Sequence, residues 1–437
     1  MTSNGADEWA GMDLSVRRGN DHDPSWFAGI DGLEASYDMV IVGAGISGCV
    51  FAERGSRELG LKSLIIDKRD HIGGNCYDFV NKRGFRVSQY GVHLFHTRHE
   101  RVWEYVNRFS DWTPYEHRVK GKVDVGEGYK IVPIPPSRET VNALFHADVH
   151  TEEEMEAWLN ARRSVNDDPK NGEESALTRA GEELYDAIFK HYTKKQWDKY
   201  PEELDASVLA RIPVRTNDDD RYFSDPHQAL PKDGYTRLFE NMVMSDPNIT
   251  IRLNVDFFER RDALPKCAKT IFTGPIDAYY ASQGLPKLEY RSLRFREEYH
   301  EPDPSGEHGA FYQPCLQLNY PGPEVPFTRI VEYKHKPNQP VEARNSKGTV
   351  IFKEYSCDHG EPYYPVPNPA NHALYEKYKA MAEREGKDVC FVGRLASYKY
   401  FNMDQAFLNA LEMFDEVWGE GAGERGRTVL GEGDGPK

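Results

Sequence analysis

Little in this chain would staple it, anchor it in a bilayer or present it to nucleic acid. The six cysteines (Cys49, Cys76, Cys267, Cys315, Cys357 and Cys390) include no Cys-x-x-Cys pair, which argues against a disulfide framework or a zinc site. Scattered thiols of this kind fit the reducing cytoplasm. No stretch approaches the ~18 uninterrupted apolar residues of a membrane-spanning helix. Residues 1–36 lack the apolar centre of a signal peptide, and they and the Gly/Glu-rich residues 419–437 read as poorly ordered tails. Positive charge is in deficit: 55 Lys and Arg against 71 Asp and Glu leave a net −16, unsuited to a nucleic-acid or anionic-membrane surface. An anionic ligand must therefore be held by a local cluster of cations. No internal repeat and no long low-complexity tract interrupts the 437 residues.

The most informative segment is Met39-Val-Ile-Val-Gly43-Ala-Gly45-Ile46-Ser47-Gly48, an apolar strand run breaking into Gly-x-Gly-x-x-Gly. Gly43 suits the tight turn, Gly45 lets backbone approach a pyrophosphate, and Gly48 lets helix and strand pack closely. The helix starting near Ile46 points its positive end at that pyrophosphate. A second run, Leu64-Ile65-Ile66, ends on Asp67, placed to accept hydrogen bonds from ribose hydroxyls. Directly after it comes Lys68-Arg69-Asp70-His71-Ile72-Gly73-Gly74-Asn75, whose paired glycines permit close approach to a flat ligand.

Periodicity divides the rest. The fold class is α/β: a discontinuous Rossmann-like dinucleotide domain, an inserted helical domain and an antiparallel sheet domain. The dinucleotide domain is assigned residues 37–112, 225–289 and 386–418, because Thr270–Pro275 reads as a sheet strand ending near the dinucleotide and Asp388–Arg394 repeats the strand-then-glycine layout of the opening. Residues 138–211 carry helix-spaced apolar positions. Residues 113–137, 212–224 and 290–385 read as strands and turns of the sheet domain.

Two histidines, His93 and His96, stand at i and i+3, but no third ligand is spaced for a metal, and none is assigned. By itself His93 reads as a structural histidine. Tyr192–Trp197, Arg211–Arg215 and Asp219–Phe223 bring aromatic rings and arginines to one helix–loop junction, which suits a base stacked beside a phosphate. Further on lie Thr328-Arg329-Ile330, Glu361–Pro365, Gly393-Arg394-Leu395 and Tyr398–Asp404.

Taken in order from about residue 37 to 417, these segments together resemble the bacterial UDP-galactopyranose mutases. The resemblance implies FAD, active when reduced, with its N5 as nucleophile on the galactose anomeric carbon. It implies interconversion of UDP-galactopyranose and UDP-galactofuranose without net redox change, an external electron donor, a homo-oligomer, and a role in galactofuranose supply for cell-surface glycans. By position it makes Arg211 and Arg329 the diphosphate clamps, with His96 beside the flavin. Substrate contacts fall to Tyr192, Trp197, Tyr222, Tyr364, Tyr400, Asn402 and His117. Cofactor contacts fall to Gly43, Gly45, Ile46, Ser47, Gly48, Asp67, Lys68, Gly74, Asn75, His93, Gly274, Gly393, Arg394 and Met403. Asp67 stands where relatives often carry Glu, and Asn402 where others carry Asp. A flavin oxidase on the same scaffold would line its cleft with apolar groups, and a nucleotide-sugar sensor would bind UDP without turnover.

Overall fold

In the computed structural model, which describes residues 23–301, 308–385 and 388–419, the strand β1 (Ser36–Val42) is buried through Met39, Val40 and Ile41. A run buried on both faces suits the centre of a parallel sheet. Indeed β1 pairs in parallel with β2 (Ser63–Asp67) on one side and Lys266–Phe272 on the other. The sheet is completed by Ile249–Leu253 beside β2 and Val389–Phe391 beside Lys266–Phe272. All five strands therefore end on one edge, where ligands of open α/β sheets bind. The helix α1 (Ile46–Leu59) follows β1 directly, and Phe51 packs edge-on against Phe414 of the last helix, Met403–Trp418. Both ends of the chain thus close one nucleotide sheet.

A second sheet has seven strands, from Tyr364–Pro365 at one edge to the hairpin Val119–Asp124 and Tyr129–Ile134 at the other. Its pairs are antiparallel except Gln317–Asn319 with Val119–Asp124, which run parallel. The helices between Arg138 and Ala210 bury Met155, Trp158, Leu184 and Phe189 against Val119 and Val132 of that hairpin. One widened, π-helical turn, Tyr185–Lys190, precedes the short helix His191–Trp197 and resets the direction of its side chains.

Two expected boundaries are corrected. Residues 1–22 lie outside the described residues, but 23–36 are no tail: Asp23 caps a turn at Pro24–Phe27 and Trp26 is buried in the core beneath α1 and the Rossmann sheet. A single large indole suffices to fix such a segment, and single residues escape periodicity analysis. The helix Pro369–Arg384, assigned with the sheet domain, instead packs Tyr378 against Tyr280 over the dinucleotide sheet. Its connection leads into the edge strand Val389–Phe391, so burying its apolar face there is the shorter path.

Candidate active site

A cavity of about 860 Å³ opens at the carboxyl edge of the parallel sheet and runs on toward the second sheet. Of all the residues the sequence nominated, only Gly48 does not line it. The reason is mechanical, since a Cβ on Gly48 would sit 2.0 Å from the Gly43 carbonyl oxygen. Gly48 shapes the turn from behind.

The near end is a cradle. Asp67 accepts from the backbone N–H of Ala44 at 2.8 Å and of Arg69 at 2.9 Å, tying the first turn to the end of β2. Burial raises its carboxyl above the ordinary value, which the neighbouring Arg69 opposes. Gly74, with φ +55°, packs so close that its Cβ would come within 2.9 Å of Gly45 Cα, so the two backbones touch and present no side chain to the cavity. Lys68, at the rim, forms an ion pair with Glu361 at 2.7 Å rather than standing free.

The histidines sit at the middle. His93 Nδ1 meets the Gly91 carbonyl at 2.8 Å, and burial brings its pKa down to about 4. His96 Nδ1 lies 2.6 Å from an Asp225 carboxylate oxygen, and its ring stacks on Phe223 at 3.5 Å. Arg98 holds the other Asp225 oxygen at 2.9 Å. His117 is buried, with its pKa brought down to about 3 by burial and then by Arg329. No group of three His, Cys, Asp or Glu side chains among the described residues could hold a metal ion.

At the far end three guanidiniums surround two stacked tyrosines. Tyr364 and Tyr400 lie 5.2 Å apart at 10°, with Trp197 against both. Arg211 covers Tyr400 at 3.6 Å, and Arg394 sits 4.7 Å from Tyr364 and 4.5 Å from Tyr400. Burial alone would raise the Tyr400 phenol, but Arg211, Arg394 and Arg329 together bring it below its ordinary value. Arg329 donates to Glu354 at 2.6 Å; although burial opposes its charge, that carboxylate holds its pKa well above the ordinary value. Tyr192 and Tyr222, by contrast, are raised by burial. Asn402 caps the last helix and accepts from Arg211 at 3.0 Å. Because the acceptor is a neutral amide, the Arg211 charge is not cancelled.

Several lining residues escaped the sequence reading. Asp225 lies 129 positions from His96, and nothing in either segment links them. Gln317 lines the same cavity, and Glu354 lies behind it as the Arg329 partner. Arg215 lines the cavity while pairing with Asp219 at 3.1 Å.

Comparison with known proteins agrees with this geometry. A family profile described as UDP-galactopyranose mutase matches residues 187–400, and one described as an NAD(P)-binding Rossmann-like domain matches residues 41–109. A Klebsiella pneumoniae protein named as a probable UDP-galactopyranose mutase is 42% identical, covering 87% of this chain and 94% of its own length. The dTDP-fucopyranose mutase of Escherichia coli is 38% identical, covering 86% of this chain and 96% of its own length. A crystal structure of reduced UDP-galactopyranose mutase superposes with a TM-score of 0.67 at 17% identity over 88% of this chain and 94% of that one, a likeness of fold. With a dinucleotide cradle, a guanidinium cluster and a relative aligned over nearly its whole length, the chain belongs to the UDP-galactopyranose mutase family, a family of flavoprotein isomerases.

Proposed function

We propose that this protein interconverts UDP-galactopyranose and UDP-galactofuranose in a cavity that holds reduced FAD. One observation carries the reading: a single cavity joins a dinucleotide cradle to a cluster of arginines and tyrosines in a chain whose overall charge repels diphosphates. The cradle fits a flavin dinucleotide. Nε and Nη2 of Arg394 are buried without a hydrogen-bond partner, and Gly45 and Gly74 both line the cavity with bare backbone, so no side chain intrudes where a planar group would lie. Backbone at Gly43–Ser47 would hold the pyrophosphate, Asp67 the ribose, and Gly74, Asn75, Gly393 and Arg394 the ring system. When bound and reduced, the cofactor supplies a nucleophilic nitrogen for the anomeric carbon.

The chain's own residues do the rest. Arg211 and Arg329 receive the diphosphate as it leaves the sugar and keep it available for recombination. Guanidinium suits that role because it stays charged and offers a planar fork. Tyr222, Tyr364 and Tyr400 donate phenolic protons to the same oxygens, and Tyr192 stacks on the uracil. Asp225 accepts from Nδ1–H of His96, which leaves Nε2 as the ring nitrogen that meets a ligand. Burial keeps His93 and His117 neutral at neutral pH, so they add no positive charge to the middle of the cavity.

The electron donor is external, the thiols suit a cytoplasmic enzyme, and the product feeds a cell-surface glycan. The 38% identity to a dTDP-fucopyranose mutase favours a second substrate reading, a dTDP-6-deoxyhexose in the same cavity. Anaerobic incubation of the dithionite-reduced protein with each nucleotide sugar, followed by separation of the products, tests both. Ring contraction of the UDP-sugar in preference to the dTDP-sugar is expected. Turnover of neither, or a requirement for an electron acceptor, contradicts the proposal.

A further inference from the structure

Residues 320–328 form a loop closed on itself, with the Tyr320 N–H donating to the Thr328 carbonyl at 2.9 Å. Inside it four backbone carbonyls converge on one ammonium. Lys195 Nζ lies 2.5 Å from the carbonyl oxygen of Tyr320, 2.6 Å from Gly322, 3.3 Å from Val325 and 3.1 Å from Phe327. An ammonium has three protons and no acceptor, so four carbonyls saturate it, and it in turn gives each of those loop carbonyls a charged partner. Its neighbour Lys194 interacts locally, with the Asp198 carbonyl at 2.7 Å, the Asp198 carboxylate at 3.3 Å and the Tyr200 ring at 5.2 Å.

The placement of this cage matters. Lys195 does not line the cavity, whereas Tyr192, Gln196 and Trp197 of the same short helix do. At the loop's exit Thr328 is fully buried, its N–H donating to the Glu354 carbonyl at 2.9 Å. Arg329 follows immediately, with its guanidinium on the Glu354 carboxylate. One side chain thus ties the helix facing the base to the loop that delivers a diphosphate clamp, across more than a hundred residues of sequence.

We propose that Lys195 is a positioning residue that couples the base-facing helix to Arg329, so that the two halves of a nucleotide-sugar site are held in one geometry. This rests on the UDP-sugar reading above. Substrate-positioning errors of about 1 Å cost on the order of 100-fold, and the coupling predicts a loss of that order in kcat/KM and UDP affinity for Lys195→Met, with FAD content unchanged. Lys195→Arg, which keeps a cation in the cage, restores part of both.

Hydrogen exchange on the FAD-loaded protein supplies the readout a purely structural lysine would not move. Residues 321–327 do not line the cavity. Coupling nevertheless predicts that UDP slows exchange of the Gly322, Glu324, Val325 and Phe327 amides in the wild-type chain, and that the effect disappears in Lys195→Met. A folded Lys195→Met protein with wild-type UDP affinity overturns the proposal, as does wild-type loop exchange indifferent to bound UDP. Should the methionine variant fail to fold, the wild-type exchange measurement decides alone. A wild-type protein that does not bind UDP overturns the substrate reading together with the coupling; one that binds UDP without protecting the loop overturns the coupling only.

Discussion

Arg329 cannot be exchanged for another cation without loss. It is held by Glu354 at 2.6 Å from one nitrogen while its Nε has no partner, so part of the fork remains for a ligand. Arg329→Lys keeps the charge but not the fork, and Arg329→Ala leaves the Glu354 carboxylate buried and unpaired. Steady-state kinetics should show both losing on the order of 10²–10³-fold in kcat, the range seen when one preorganised transition-state donor is removed. Flavin absorbance should be unchanged, because Arg329 lies at the far end from the cradle. Wild-type turnover in either variant contradicts the assignment. Arg211→Ala should behave alike, with a larger rise in KM, since Arg211 is exposed and rests on the neutral Asn402 amide and the Tyr400 ring.

The buried histidines make a pH prediction. His93 and His117 have folded-state pKa values of about 4 and about 3, below the ordinary 6.5, so the unfolded chain takes up protons first as pH falls. Their contribution to stability is complete above pH 6.5 and is lost on the way down to the folded values, at up to ~1.4 kcal/mol per pH unit for each group. Denaturant titrations between pH 7 and pH 5 should show falling stability, with a shallower slope for His117→Gln. A stability that rises over that interval contradicts the reading.

Turning to the elements, the first turn and the amino-terminal segment carry opposite lessons. The strand–turn–helix at Met39–Leu59 was legible because three glycines at fixed spacing admit few other backbones, and the structure accounts for Gly48 by a 2.0 Å approach to the Gly43 carbonyl. Gly48→Ala should abolish flavin retention on gel filtration and lower the melting temperature. Trp26 was not legible, since one aromatic in a polar, Gly- and Asp-rich stretch has no period. Trp26→Ala should cost roughly 3–5 kcal/mol in denaturant unfolding, as for other large-to-small core changes. An unchanged midpoint would return residues 23–36 to the status of a tail.

The pairing of His96 with Asp225 and the Lys195 cage were equally hidden. Each joins segments more than a hundred residues apart through one contact, and neither segment alone carries a pattern that names its partner. What the sequence did reveal about the site came from order and residue type: arginines and tyrosines recurring after a dinucleotide motif in an acidic chain. Its domain boundaries failed where a helix chose its neighbour by packing, as Pro369–Arg384 does against Tyr280.

For the molecule as a whole, the long cavity joins the glycine-rich turn at one end to the Arg211, Arg329 and Arg394 cluster at the other, as a site for a cofactor and an anionic substrate together would require. Arg211, at the end of the short helix Ala206–Ala210, is the exposed member of the proposed clamp. On the proposed function, a lid within the segment 193–215 is expected to close over the nucleotide. Limited proteolysis should show cleavage within 193–215 suppressed by UDP, and equal cleavage with and without UDP would contradict closure.

The central claim is that the flavin acts as a nucleophile and is not consumed. Its most direct test follows flavin absorbance and sugar-nucleotide composition in the same anaerobic cuvette, with UDP-galactofuranose supplied in large excess over enzyme. The account predicts many equivalents of UDP-galactopyranose formed while the absorbance stays that of reduced flavin, and none from the oxidised enzyme. Product formation by the oxidised protein, or stoichiometric oxidation of the flavin during turnover, would contradict it.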